Sequence, residues 1–338
     1  QDAVGAMDQM PMNDMVVRML LETNSIAKLL EAMRQSPNDT NLLLKVVRVL
    51  GKMSINDELK KAIVAAGGVD LVIWCMGAHQ SHVLLMVACC TALANFAFNS
   101  SSVANDIVDK NGIHVVENVM QVNLNEHRVL ANALQVLSNL MFKNDEHKKT
   151  ICSVCGDEIV HMIRKHHSDI GVFQSGLRAL GTLVYCEENV PIIVGEGACR
   201  VIVDGMRVHW EDPDTVQLAI NVLENLAAEN VPVQEAPDSV GREHHPMRHG
   251  EDSLQVIHAE GASHIILQAI AHFDVNPSLI MASIDALVNI VEDETLMETM
   301  IRENAVPIVM EVMIVCCLLC FVLFVGALFF RMRDKKMA

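Results

Sequence analysis

The feature that most constrains this chain is a pattern of six apolar side chains that occurs six times along it. One copy consists of Leu130, Ala133, Leu134, Leu137, Leu140 and Met141. Steps of three and four residues place all six side chains on one face of an α-helix. The copies recur every 43 or 44 residues, apart from one interval of 64. Because such a helix cannot bury its apolar face alone, the copies are predicted to stack on one another as a solenoid.

Further residues share this spacing and divide each repeat into three helices. A short amphipathic segment such as 57–64 comes first, a second helix such as 113–120 follows, and the helix with the six-residue pattern comes last. Between the first and second helices lies a residue type that tolerates positive φ, which predicts a sharp turn there. These residues are Asn24, Gly68, Gly112, Gly156, Gly197, Gly261 and Asn304.

The third helices also share a short motif that ends in asparagine. Its copies are Ala92-Leu-Ala-Asn95, Val136-Leu-Ser-Asn139, Val222-Leu-Glu-Asn225 and Ala286-Leu-Val-Asn289. With three helices per repeat, this motif resembles the armadillo repeat over about residues 24 to 310, and the two-helix HEAT repeat is the nearest alternative. The expected fold is all-α, a right-handed armadillo-type α-solenoid of about six repeats.

Composition excludes several function classes. The net charge of −17 gives a surface that repels phosphate backbones, and aromatic residues make up only 4% of the chain, so nucleic-acid binding is not expected. The ten cysteines form no recognisable disulfide framework, which favours a reducing compartment. No phosphate loop, nucleophile elbow or metalloprotease motif is present, so the chain is not expected to be an enzyme.

The chain ends in a long apolar run followed by basic residues. Residues 312–330 would form about 28 Å of helix, enough to cross the hydrocarbon core of a bilayer. The expected organisation is an N-terminal extension at 1–23, an armadillo-like repeat domain at 24–311 with an inserted loop at about 231–253, a transmembrane helix at 312–330 and a basic tail at 331–338.

Two orientations of this span remain open. The positive-inside rule would place the basic tail in the cytoplasm or the mitochondrial matrix. A tail anchor inserted after synthesis would instead leave the repeat domain in the cytosol. Because both orientations occur at mitochondria, a mitochondrial membrane is favoured, although another organelle membrane remains open.

Two groups of residues are weak candidates for metal binding. Cys152 and Cys155 form a CxxC motif, and the inserted loop carries His244, His245 and His249. Core packing explains Cys152, which occupies the register of Val64 in another repeat. No metal and no cofactor are therefore expected, and a metal or redox sensor is kept as an alternative of another class.

The resemblance implies that the third helices line a concave partner-binding groove. In peptide-binding armadillo proteins the asparagines hydrogen-bond an extended peptide backbone, whereas here their amides could equally satisfy backbone carbonyls between repeats. In nuclear-import receptors the preceding row is rich in tryptophan, which is missing here, so recognition of import signals is not expected. The candidate groove residues are Arg48, Lys52, Thr91, Asn95, Gln135, Asn139, Arg178, Thr182, Asn221, Asn225, Asp285 and Asn289.

These observations predict a non-enzymatic scaffold fixed to a membrane through 312–330. It would be an accessory subunit or docking platform of a membrane protein complex, with other protein subunits or an extended peptide segment as partners. The alternative is a tail-anchored cytosolic adaptor that recruits client proteins to an organelle membrane.

Overall fold

The computed structural model describes residues 14–228, 253–273 and 276–290, together with positions 298, 302 and 307. No β-strand occurs among these residues. The chain divides between Asn189 and Val190 into two compact units, here called unit 1 and unit 2.

Unit 1 contains four successive helical repeats. Three of them have three separate helices, and the fourth runs its first two helices together. The helices are α1 (Asp14–Glu22), α2 (Ser25–Gln35), α3 (Thr40–Met53), α4 (Asp57–Ala65), α5 (Gly68–Ala78), α6 (Val83–Ala97), α7 (Ser101–Asp109), α8 (Gly112–Val122), α9 (His127–Met141), α10 (Asp145–His166) and α11 (Ile170–Leu183), followed by a 3₁₀ turn at Glu187–Asn189.

Unit 2 contains two repeats of the same kind. Their helices are α12 (Val190–Gly195), α13 (Ala198–Val208), α14 (Pro213–Ala227), α15 (Ser253–Ala259), α16 (Ala262–His272) and α17 (Pro277–Ile290). The predicted three-helix repeat is therefore confirmed in the part of the chain that the structure describes.

The third helix of each repeat forms the centre of the core. In unit 1, α3, α6, α9 and α11 pack in succession, and in unit 2, α14 packs on α17. All six pattern positions of α9 have no accessible surface, as the sequence predicted. Burying a leucine side chain stabilises a fold by about 1.5–3 kcal/mol, so the repeated helix supplies a large share of the stability.

In two repeats the turn residue before the second helix lies one position earlier than predicted. Left-handed backbone occurs at Asn24, Gly197 and Gly261 as expected, but at the second and third repeats it occurs at Gly67 (φ 83°) and Asn111 (φ 62°). The following Gly68 and Gly112 are needed for space instead. A Cβ atom on Gly112 would lie 2.5 Å from Ile107 Cγ2 and 2.6 Å from Ile107 O, closer than packed atoms approach.

The fourth repeat departs from the expected turn. Helices 1 and 2 run together as α10, with a kink at Cys155, whose φ is −142° and ψ is 20°. Gly156 therefore directly follows a kinked residue, and that residue does not have left-handed backbone. The change of direction at this repeat is made within one long helix.

The segment predicted as part of an N-terminal extension contains a helix. Within α1, Val17 is 4% exposed and Leu20 is 2% exposed, and α1 contacts α2 and α4. Helix α1 thus has the position and packing of a first helix in the first repeat. Its amphipathic stretch is short, which is why the apolar pattern alone did not reveal it.

Several predictions concern residues that the structure does not describe. These are the span at 312–330, the tail at 331–338, most of the loop at 231–253 and the turn residue Asn304. Among the described helices, none is by itself long and apolar enough to cross a bilayer, and one pair bent by 71°, α4 with α5, meets that criterion jointly.

Candidate functional site: the helix-3 face

The twelve predicted groove residues all lie on third helices, eight in unit 1 and four in unit 2. We call the surface that they form in each unit the helix-3 face. Arg48, Thr91, Arg178 and Asp285 are exposed, and the remaining eight are half-buried. The predicted residues form two rows, the asparagine row and a row one helical turn before it, and the four exposed residues all belong to the earlier row. The earlier row is therefore the more accessible to a partner. The asparagine row is Lys52, Asn95, Asn139, Thr182, Asn225 and Asn289.

The asparagine row has a structural role between repeats. Asn95 Nδ2 donates to Gly51 O at 3.0 Å, Asn139 Nδ2 to Ala94 O at 2.9 Å, and, within unit 2, Asn289 Nδ2 to Glu224 O at 3.3 Å. Each acceptor belongs to the third helix of the preceding repeat. These bonds match the interpretation that the amides satisfy backbone carbonyls between repeats, and Asn139 Oδ1 also accepts from Gln135 Nε2 at 3.0 Å.

Hydroxyl and amide groups extend this network. Thr91 Oγ1 lies 2.8 Å from Val87 O and 2.9 Å from Asn132 Oδ1 of the next repeat, and its one hydroxyl proton can be donated to either oxygen. Thr182 Oγ1 donates to Arg178 O at 2.8 Å. Thr91 and Thr182 are thus held in place by bonds within the protein, as are Asn95, Asn139 and Asn289.

An open groove of about 480 Å³ lies between α3 and α6. Its walls combine cationic, amide and apolar side chains, which is the mixture that a peptide segment requires. The polar lining is Arg48, Lys52, Thr91, Asn95 and Arg128, and the apolar lining includes Leu44, Ile55, Leu84 and Val87. Four of the predicted groove residues therefore share one cavity.

The two units differ in charge on this face. The third helices of unit 1 carry five basic residues, three in α3 and one each in α9 and α11, and no acidic residue. Those of unit 2 carry three acidic residues, Asp214, Glu224 and Asp285, and no basic residue. Burial, together with the nearby charge of Asp285, raises the pKa of Glu224.

Sequence reasoning missed two further sets of residues in unit 1. At the corner between helices 2 and 3, a polar side chain donates to a carbonyl of the preceding repeat in three successive repeats. The bonds are His79 Nε2 to Pro37 O (2.9 Å), Asn123 Nδ2 to Gln80 O (2.8 Å) and His166 Nε2 to Leu124 O (2.7 Å). These three side chains recur at intervals of 44 and 43 residues, and this periodicity is the sequence signal that could have identified them.

The second set consists of exposed large apolar residues just after the third helices. These residues are Ile55, Phe98, Phe142 and Tyr185, which we call the apolar rim. They also recur every 43 or 44 residues. The six-residue pattern describes the helix face that is predicted to be buried, so it does not include this periodic exposed row.

The cysteine candidates lie in the core. Cys152 is 5% exposed, Cys155 is fully buried, and Cys155 Sγ donates to Ile151 O at 3.4 Å. Burial raises the pKa of the Cys155 thiol, which disfavours the thiolate needed for metal binding or redox chemistry. No group of three or more metal-ligating side chains occurs in the described part of the chain. His244, His245 and His249 lie outside it.

Comparisons with known proteins agree with this architecture. Residues 9–157, a little under half of the chain, match a family model described as the GAC ARM domain. The Dictyostelium discoideum protein aardvark is 29% identical over 140 residues, which cover 37% of this chain and 18% of aardvark. The chain therefore spans less than a fifth of the length of that curated relative.

Solved structures show the same fold over most of the chain. Two engineered proteins superpose with TM-scores of 0.64 and 0.66 at 21% and 18% identity, each over 79% of this chain and over 96% and 98% of their own. A structure from a study of the interaction between cadherin and beta-catenin superposes at 0.63 with 19% identity, over 84% of this chain and 52% of its own. With the three-helix repeats and the family match, these likenesses show an armadillo-repeat fold.

Proposed function

We propose that this chain is a non-enzymatic armadillo-type scaffold that binds other proteins, or extended segments of them, on its helix-3 face. The observation that carries the proposal is the groove between α3 and α6, where Arg48, Lys52, Thr91 and Asn95 line one open cavity. The hydrogen bonds that hold Thr91 and Asn95 lower the ordering cost of binding, and polar side chains of the groove can pair with the backbone of an extended segment. The similar structure from the study of cadherin and beta-catenin supports the proposal because that study concerns an interaction between two proteins.

The proposal includes attachment to a membrane through residues 312–330. It rests on the apolar run and its basic flank in the sequence. In this form the chain is an accessory subunit or docking platform of a membrane complex, with a mitochondrial membrane favoured. The competing form is a cytosolic adaptor attached by the same segment.

Photocrosslinking from the helix-3 face tests the binding proposal. A photoreactive amino acid replaces Thr91 or Arg178 in the full chain, and a third variant carries it at Val122, which is 51% exposed on α8. We expect discrete crosslinks to a partner from the first two positions and not from the third. The same products from all three positions would contradict the proposal.

Protease treatment of sealed organelles tests the membrane part. A repeat domain on the cytosolic side is digested, whereas one inside the organelle is protected until the membrane is opened. Native gels after detergent extraction then test the subunit role. Migration as a free monomer would contradict it, and release by alkaline carbonate would contradict membrane insertion.

A further inference from the structure

The helix-3 face of unit 1 is a basic region on an acidic protein. The whole chain carries a net charge of −17, yet the four third helices of unit 1 carry five bases and no acid. Three carboxylates, Asp39, Glu126 and Asp169, lie at the N-cap positions of these helices, and two of them accept hydrogen bonds from the helix N-termini. Asp39 accepts from Leu42 N–H at 3.0 Å, and Asp169 accepts from Val172 N–H at 2.9 Å.

The apolar rim adds large apolar side chains to the same unit. Ile55 is 75% exposed, Phe98 56%, Phe142 51% and Tyr185 68%, and each lies within two residues of the end of a third helix. Single exposed apolar residues are ordinary, but four in register on successive repeats form a patterned surface. The equivalent residue in the first repeat of unit 2 is Ala228, so within the part of the chain that the structure describes the pattern occurs only in unit 1.

The rim borders the helix-3 face. Ile55 lines the groove that holds Lys52 and Asn95, and Phe142 lines a second cavity of about 210 Å³ with Asn139. Lys60 Nζ donates to Phe98 O at 2.9 Å, which fixes the turn that carries the Phe98 ring. A segment lying along the third helices would therefore meet cations, amides and apolar side chains together.

We propose that the helix-3 face of unit 1 binds an extended segment that is rich in Asp and Glu and also carries large apolar side chains. This inference rests on the proposed function and specifies its ligand. Carboxylates of the segment pair with the basic residues, and its apolar side chains contact the rim. Unit 2, with acidic third helices, does not take the same segment, because like charges across an interface oppose binding.

Synthetic 15-residue peptides test the proposal by fluorescence anisotropy with the full chain in mild detergent. One peptide combines Glu and Asp with three spaced Phe residues. The second replaces every acid with Lys, and the third keeps the acids but replaces each Phe with Ser. We expect the first to bind at least about tenfold more tightly than either of the others, with affinity falling as salt rises.

Matched variants locate the binding. Arg128→Glu combined with Arg178→Glu should weaken the acidic, Phe-containing peptide about tenfold or more, whereas Lys61→Glu, an exposed base on α4, should not. Phe142→Ser should weaken it severalfold, while Val122→Ser, a substitution at an equally exposed residue, should not. Circular dichroism and thermal melting confirm that each variant is folded.

Other results would overturn the inference in distinguishable ways. Tighter binding of the Lys peptide, lost in the double arginine variant, would refute the acidic ligand but keep the helix-3 face as the site. Binding of phosphatidylserine vesicles that depends on the same arginines and competes with the peptide would show a lipid site instead. If no variant changes binding of any peptide, both the ligand and the proposed site are wrong.

Discussion

Replacing Asn139 with alanine tests whether the asparagine row stabilises the stack of repeats. Asn139 Nδ2 donates to Ala94 O of the preceding repeat at 2.9 Å, and Asn139 Oδ1 accepts from Gln135 Nε2 at 3.0 Å. Alanine removes both bonds while leaving α9 intact. A residue present only to contact ligand could be replaced without loss of stability.

The expected loss follows from these contacts. A net contribution of about 1 kcal/mol is typical for one such bond, and the half-buried bond to Gln135 adds roughly 0.5 kcal/mol because Gln135 can turn to water. Ala94 O keeps its bond from Phe98 N–H at 2.9 Å, so no buried carbonyl is orphaned. Alanine also gains about 0.5 kcal/mol of helix propensity over asparagine. The net destabilisation is therefore about 1 kcal/mol.

Asn118→Ala is the matched control, because Asn118 is exposed on α8 of the same repeat. The Asn118→Ala variant gains the same helix propensity and loses no bond between repeats, so it should be about 0.5 kcal/mol more stable than the parent protein. Urea unfolding followed by circular dichroism measures both variants, and hydrogen exchange in α6 and α9 localises the change. Equal stability of the two alanine variants would refute the structural role of the Asn139 amide.

Three further predictions concern stability. Gly112→Ala should cost about 1–3 kcal/mol in urea unfolding, because its Cβ would lie 2.5 Å from Ile107 Cγ2. Gly77→Ala, whose Cβ would meet nothing within 4 Å, should instead gain about 0.5–1 kcal/mol. Burial raises the pKa of Asp169, but backbone hydrogen bonds and His127 outweigh it and lower that pKa. Its stabilisation is present above the unfolded-state pKa of about 3.9 and is lost as pH falls through the folded value, so Asp169→Asn should flatten the stability–pH curve below about pH 4.

Periodicity predicted most of the buried face of the third helices, although it did not reveal α1 and its position Ile284 is only half-buried. Six apolar positions per third helix specify which face is buried, and all six positions of α9, including Leu130 and Met141, have no accessible surface. The pattern is reliable because a stacked helix must place the same face against each neighbour. The residues of the helix-3 face were instead chosen from the resemblance to the armadillo repeat, and their role in binding a partner stays a prediction.

Local backbone geometry was harder to predict. Two adjacent residues, Gly67 and Gly68, both suit a turn, and composition does not say which one takes positive φ and which one lacks room for a Cβ atom. The hydrogen-bond partner of the Asn95 amide could not be predicted either, because a backbone carbonyl of a ligand and the carbonyl of Gly51 are the same chemical group. Coordinates decide such cases, since they depend on distances of a few tenths of an ångström.

The two sets of bonds between repeats explain why the helix-3 face of unit 1 is suited to binding. The asparagine row ties α6 to α3 and α9 to α6 in the second half of each helix, and the His79, Asn123 and His166 side chains tie the repeats together where the third helix begins. With both ends held, neighbouring third helices keep a fixed spacing, so the face is formed before a ligand binds. The entropy lost on binding then falls mainly on the ligand. A segment that is already extended, and whose charges and apolar side chains match the spacing of the repeats, gains the most from such a surface.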